Sequence, residues 1–283
     1  MNIRTIFNIL SALLVILGLS MLIPTAIAYG YGENDLNGFL WSMFICFMLG
    51  IPTWLATRKH RKLTNKDGFA IVSFTWITTA LIGALPFYIS GIIPNFTDAF
   101  FESMSGVTTT GASIIGSSVT LPHLPNGIES LLHALLYWRS FIQWIGGMGI
   151  IVFYIAILPL LGVGSVQLFK AEVPGPVADK IRPRVRETAK ILWMVYIGFT
   201  AVQILLLGIS GMPWFDSICH SFTTMPTGGF STKNASIGYY DSAAIQYIII
   251  FFMFLAGINF SLHFHAITGN VKSYFRDKEF LTY

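Results

Sequence analysis

Two clusters of threonine and glycine hold the residues most able to do chemistry in this chain. They are Thr108-Thr109-Thr110-Gly111-Ala112-Ser113 and Pro226-Thr227-Gly228-Gly229-Phe230-Ser231. What such a run offers is backbone. Glycine permits angles that turn successive carbonyls toward one axis, and carbonyl oxygens can replace the hydration shell of potassium.

Each cluster closes a longer segment, Pro94 to Pro125 and Pro213 to Tyr240. The two segments align without a gap at an offset of 118 residues, as the pair Asp98 and Asp216 shows (216 − 98 = 118). Ser103 then falls on Ser221, Thr109 on Thr227, Gly111 on Gly229 and Ser113 on Ser231. Each opens on helix-start signals, Asn95-Phe96-Thr97-Asp98 and Trp214-Phe215-Asp216. About ten mostly apolar, helix-compatible residues follow. The expected unit is span, short pore helix, Thr/Gly strand, span. Such a helix presents roughly −0.5 charge at its C-terminal end, which favours a cation. Ordinary loops with Gly/Thr turns would explain one such segment. Two gapless copies argue against that reading, because repeats in membrane proteins usually place the substrate site at their interface.

The elements that must position these clusters are apolar. The chain is 54% hydrophobic and 11% charged, where an ordinary soluble domain carries ~25% charged residues. Six runs can span a bilayer, which takes ~20 residues. They are Phe7–Tyr29, Phe39–Thr57, Phe69–Ile93, Ile128–Leu161, Ile191–Met212 and Ala243–Ile267. The fourth is too long for one straight span. Its Gly146, Gly147 and Gly149 predict a bend, a continuation beyond the membrane, or close helix packing. The first begins like a signal peptide, with Arg4 ahead and Ala26-Ile27-Ala28 behind. It exceeds the ~7–15 residues of a signal h-region, so a retained helix is expected.

The net charge of +4 comes from short basic segments between the runs. That is a topology signal and not a nucleic-acid face. Arg4, the group Arg58, Lys59, Arg61, Lys62 and Lys66, the group Lys170, Lys180, Arg182, Arg184, Arg186 and Lys190, and the tail Lys272, Arg276 and Lys278 fall on one side. Lys233, Glu33, Asp35 and Asp98 fall on the other. The positive-inside rule therefore predicts a multi-pass protein of the cytoplasmic (inner) membrane with both termini in the cytoplasm.

Arg139 lies inside a span, where a charge costs ~2.5–3.5 kcal/mol on insertion scales. It needs a partner. Asp98, Glu102 and Glu129 are the acidic candidates, and support of the Thr/Gly strands is the expected role. His263 and His265 stand at i, i+2, on different helix faces, which argues against a metal. His220 is expected to be structural. Cys46 and Cys219 are expected to be free, buried thiols. Gly162-Val163-Gly164 is an incomplete dinucleotide fingerprint without strand context. An intramembrane enzyme would need a nucleophile with its base, paired aspartates or a zinc motif, and none is apparent.

At these residues the sequence is similar to the Trk/Ktr/HKT superfamily of potassium transporters, specifically the bacterial Trk-type membrane (pore-forming) subunit. The resemblance rests on Asp67-Gly68-Phe69, Gly83-Ala84-Leu85-Pro86-Phe87, Thr108–Ala112, Trp138-Arg139-Ser140, Gln143-Trp144-Ile145-Gly146-Gly147-Met148-Gly149 and Pro226–Ser231. It implies four span–pore helix–span repeats around one ion path, with two additional N-terminal spans. It places the filter glycines at Gly111 and Gly229. It also implies a cytosolic nucleotide-binding regulatory subunit as partner.

The fold class expected is an all-α polytopic membrane protein with six transmembrane helices and two re-entrant pore helices carrying filter strands. The expected organisation is 1–62, two N-terminal spans; 63–165, first pore-loop repeat; 166–190, basic cytoplasmic linker; 191–270, second repeat; 271–283, cytoplasmic tail. The expected ion-binding filter is Thr109, Thr110, Gly111 and Ala112 with Thr227, Gly228, Gly229 and Phe230, potassium resting on their carbonyls and Arg139 in support. Potassium is the expected substrate, with sodium, protons or no ion in symport left open, and no covalently bound cofactor is expected. Two pore loops make half of a fourfold ring. The chain reads as the N-terminal half of such a subunit, completed by the remaining repeats or by a second copy in a homodimer, and surrounded by membrane lipid. The competing reading is a non-conducting scaffold or regulatory subunit of a transport complex.

Overall fold

A computed structural model describes residues 2–57, 65–116, 121, 124–157, 181–267 and 269–282. The basic residues Arg58, Lys59, Arg61 and Lys62, most of the expected 166–190 linker, and Gly162-Val163-Gly164 lie outside the described residues. Among those described, every regular element is helical.

The first apolar run forms α1 (Ile3–Ser20) and α2 (Leu22–Tyr31), 29 residues of nearly continuous apolar helix. Pro24 marks the join, since it has no N–H for the carbonyl one turn back. The Thr25 N–H still donates to the Met21 carbonyl at 3.0 Å. The second run forms α3 (Leu36–Ala56) and the third α4 (Asn65–Ile89). Small residues let α1 and α3 approach closely. A Cβ on Gly18 would stand 2.9 Å from that of Cys46, and one on Gly50 2.9 Å from Val15 Cγ2. The short helix α5 (Phe96–Val107) packs on α4, and α6 (His133–Ile157) follows.

Further along lie α7 (Ile181–Ile209), the short α8 (Trp214–Thr224), α9 (Ala243–Gly257), α10 (Phe260–Ile267) and α11 (Lys278–Thr282). The chain forms two compact units. One comprises Met1–Gly146 with Gly228–Tyr239, the other Gly147–Thr227 with Tyr240–Tyr283.

Four expectations change. The fourth run does not begin its helix at Ile128. Residues Gly127–Ser130 form a 3-10 turn, Leu131 is extended, and the helix starts at His133. The fifth run's helix starts at Ile181, so the last ten residues of the expected linker are helical. The sixth run is broken, because Ile258 adopts an extended conformation (φ −77°, ψ 143°). The segments expected to be filter strands are irregular and pair in no β ladder, so they are not strands in the hydrogen-bonded sense. Four described helices are long and apolar enough to cross a membrane: Ile3–Tyr31, Leu36–Ala56, Asp67–Ile89 and Lys190–Ile209.

Candidate functional site

The first Thr/Gly segment is delivered by α5. Asn95 caps this helix, its side chain accepting the Thr97 N–H at 3.0 Å. The helix ends at Val107, and the Thr109 N–H turns back to the Gly106 carbonyl at 2.9 Å. Thr109 then takes a positive φ of 56° and Gly111 one of 77°, with Thr110 between them outside that region. For a β-branched residue a positive φ is a real outlier. It costs ~1–3 kcal/mol and persists only where the surroundings enforce it.

The second segment repeats this geometry at the same offset. The Thr227 N–H donates to the Thr224 carbonyl at 2.9 Å. Thr227 has φ 56° and Gly229 φ 80°. In an extended strand successive carbonyls point to opposite sides. Reversing the sign of φ at every second residue breaks that alternation. Thr110, Ala112, Thr227 and Gly229 are exposed, while Gly228 and Phe230 are buried.

Glycine is required here for different reasons. A Cβ on Gly111 would collide with the Gly228 carbonyl oxygen, so the two segments touch backbone to backbone. A Cβ on Gly229 would enter open space, and only its φ demands glycine. Gly146 brings α6 against the Val107 carbonyl at the end of α5, where a Cβ has no room. Gly147 similarly meets Pro226. Both serve close packing, while Gly149 has open space.

Arg139, on α6, is 2% exposed and pairs with Glu102, on α5. Its Nε donates to Glu102 Oε1 at 2.6 Å, and its Nη1 donates to the Ser231 carbonyl at 3.0 Å. Its guanidinium lies 3.6 Å from the centroid of the Phe230 ring. Glu102 in turn accepts from the Ser113 hydroxyl at 2.9 Å and the Ile114 N–H at 3.0 Å. One buried ion pair thus holds the chain just beyond both Thr/Gly segments. Of the three acidic candidates, Glu102 is the partner. Glu129 instead accepts the Asn234 N–H at 3.2 Å.

Three further residues matter that sequence reasoning missed. Gln143, one turn after Arg139, accepts the Phe230 N–H at 3.3 Å. Asn234 ties the loops after the two filters together, donating to the Asn126 carbonyl at 2.6 Å and accepting the Ile128 N–H at 3.0 Å. Glu33 caps α6, accepting the His133 and Ala134 N–H groups at 2.8 and 3.1 Å. Gln143 had a signal, a polar residue within an apolar run. Asn234 and Glu33 act on segments about a hundred residues away and left none.

His263 and the two cysteines are tied into the packed structure. His263 uses both ring nitrogens, on the Tyr274 hydroxyl at 2.7 Å and the Leu255 carbonyl at 2.9 Å. Among the described residues no group of three His, Cys, Asp or Glu side chains could hold a metal. Cys46 and Cys219 are buried and form no disulfide.

Residues 36–282 match the family described as TrkH, cation transport protein. The chain is 45% identical over 285 residues to the Trk system potassium uptake protein TrkH of Escherichia coli strain K12, covering 99% of this chain and 57% of that protein. It is 44% identical, with the same coverage, to the protein of that name from Salmonella typhimurium strain LT2. Among solved structures, the crystal structure of the potassium transporter TrkH from Vibrio parahaemolyticus superposes with a TM-score of 0.83 at 40% identity, covering 99% of this chain and 56% of that one. The chain therefore spans a little over half the length of these relatives. The transporter family and the long apolar helices identify the chain as a multi-pass membrane protein that belongs to the TrkH family of cation transport proteins.

Proposed function

We propose that this chain supplies two of the pore loops that form a potassium uptake path across the cytoplasmic membrane. The observation that carries this reading is the matched backbone of the two filter segments. Thr109 and Thr227 share a φ of 56°, and Gly111 and Gly229 have φ 77° and 80°. Strain stored twice at one offset is the mark of a functional constraint. The printed names of the relatives, potassium uptake proteins, supply the ion.

In this reading carbonyls of Thr109–Ala112 and Thr227–Phe230 replace the hydration shell of potassium. The ends of α5 and α8 add negative potential. Arg139 braces the exits of both segments. Six spans and two re-entrant helices are arranged as 1–62, 63–165, 166–190, 191–270 and 271–283, with both termini cytoplasmic by the distribution of Lys and Arg. Two loops surround an ion on half of its sides, so conduction requires the remaining repeats or a second copy. A cytosolic nucleotide-binding subunit regulates the assembly.

The test is ion flux into proteoliposomes. The assembly containing this chain should take up potassium in preference to sodium. The chain alone, shown to be monomeric in detergent, should conduct neither. Selective flux from that monomer would refute the half-ring reading, and an assembly without potassium preference would refute the filter.

A further inference from the structure

Gln143 is polar, fully buried and set on an apolar helix. Its Oε1 is used, accepting the Phe230 N–H at 3.3 Å. Its Nε2 is buried without a hydrogen-bond partner. A buried amide with half its capacity open is costly, and such a group in a native fold calls for a reason. The position supplies one. A Cβ on Gly228 would run into the Gln143 carboxamide, with Nε2 at 2.7 Å, so the amide lies directly against the Gly228 backbone. A Cβ on Gly111 would lie 3.8 Å from the same Nε2. The carboxamide is therefore packed where the two filter segments meet, with a free N–H donor beside both.

We propose that Gln143 is a positioning residue that sets ion selectivity, its carboxamide fixing the Gly228–Phe230 backbone in register with Gly111. The inference rests on the filter reading above and deepens it. Oε1 anchors the Phe230 N–H, which otherwise would be buried and unsatisfied. The Nε2 side of the amide, which makes no hydrogen bond, packs against the backbone at Gly228 and toward Gly111. Arg139 holds the chain beyond the filter, and Gln143 holds the filter itself. A filter whose carbonyl spacing relaxes accommodates the smaller sodium ion, so the amide should govern discrimination more than throughput.

The test uses the conducting assembly that contains this chain, with two readouts. The first is the potassium-to-sodium permeability ratio in proteoliposomes. The second is hydrogen exchange at the Phe230 amide, which does not depend on transport. Gln143→Leu should lower the ratio about tenfold, the equivalent of one hydrogen bond at ~1.4 kcal/mol. It should also accelerate exchange at Phe230. Gln143→Glu retains the acceptor, so it should keep the Phe230 amide protected. Gln203→Leu removes another fully buried glutamine, in α7, and should leave both readouts as in the unmodified assembly. If Gln143→Leu does not assemble, the shortened amide of Gln143→Asn carries the same expectation. Unchanged exchange at Phe230 overturns the proposal. So does an unchanged ratio in a selective assembly, or loss of protein amount alone. An unmodified assembly without selectivity, with Phe230 exchange still accelerated in Gln143→Leu, refutes the potassium filter and leaves the backbone anchor standing.

Discussion

Arg139 Nε sits 2.6 Å from Glu102 Oε1, and the side chains are 2% and 0% exposed. Through this pair one guanidinium is linked to Ser231 directly and to Ser113 and Ile114 by way of the carboxylate. The arrangement resolves the cost of a charge buried on an apolar helix. The charge faces protein, has its counter-ion, and donates from Nη1 to the Ser231 carbonyl.

Breaking such a pair from one side leaves the other charge buried, which costs ~3–5 kcal/mol. Arg139→Ala and Glu102→Ala should each strongly lower the thermal stability of the solubilised protein. The double variant should be less destabilised than the sum of the two, since neither charge is then stranded. Differential scanning fluorimetry on the four proteins checks this. Additive losses would mean that the two side chains act separately.

The two filter glycines should not respond alike. Gly111→Ala adds a collision with the Gly228 carbonyl to the strain of a positive φ, whereas Gly229→Ala adds only the strain. That strain is ~1–2 kcal/mol for an L-residue. Potassium uptake should therefore fall further in Gly111→Ala than in Gly229→Ala. Gly83, outside the filter, is not a neutral comparison, because its Cβ would meet the Ser103 hydroxyl on α5. Gly198 is better suited, with open space around it in α7. Gly198→Ala should leave uptake unchanged and stabilise the helix by ~0.5–1 kcal/mol. Equal losses at Gly111 and Gly229 would show that backbone strain, not contact, decides.

What was legible in the sequence was what is local or periodic. The offset between Asp98 and Asp216 foretold two backbones that agree at Thr109 and Thr227 to the same φ. The short-helix starts at Asn95 and Pro213 followed from the helix-start residues, with a side-chain cap at Asn95 alone of the two. Apolar runs marked the helices but not their ends. Hydropathy is continuous through Ile258, where the backbone turns extended. It is equally blind to Glu33, whose carboxylate sets the start of α6 from a hundred residues away. Arg139 announced that it needed a partner, and only the fold chose Glu102 over Asp98 and Glu129.

A filter segment with one positive-φ glycine and one positive-φ threonine should discriminate less sharply than a filter with several ordered carbonyl sites in series. Reversal potentials in mixed potassium and sodium should therefore show a preference for potassium with measurable sodium entry. Complete rejection of sodium would mean that Thr109 and Thr227 order as many sites as glycine does.

The last prediction concerns pH and lies away from the filter. Asp35 precedes α3, is 1% exposed, and its carboxylate oxygens accept from no other residue among those described. Burial pushes its pKa up to about 6, and the neighbouring Glu33 carboxylate adds to the effect. Its unfolded value is ~3.9. Because the folded value is the higher one, the fold favours the protonated acid. The resulting stability is fully present below pH ~4 and is lost as pH rises through about 6, on the order of 2–3 kcal/mol in all. Asp35→Asn cannot ionise and should escape this loss. The difference in Tm between Asp35→Asn and the unmodified protein should grow in favour of the variant between pH 4 and 7 and then level off. Taking the difference cancels the titration of other groups. Glu33→Gln should move the midpoint of that growth to lower pH by removing the like charge beside Asp35. A difference that stays flat across this range would mean that Asp35 keeps an ordinary carboxylate pKa in the folded protein.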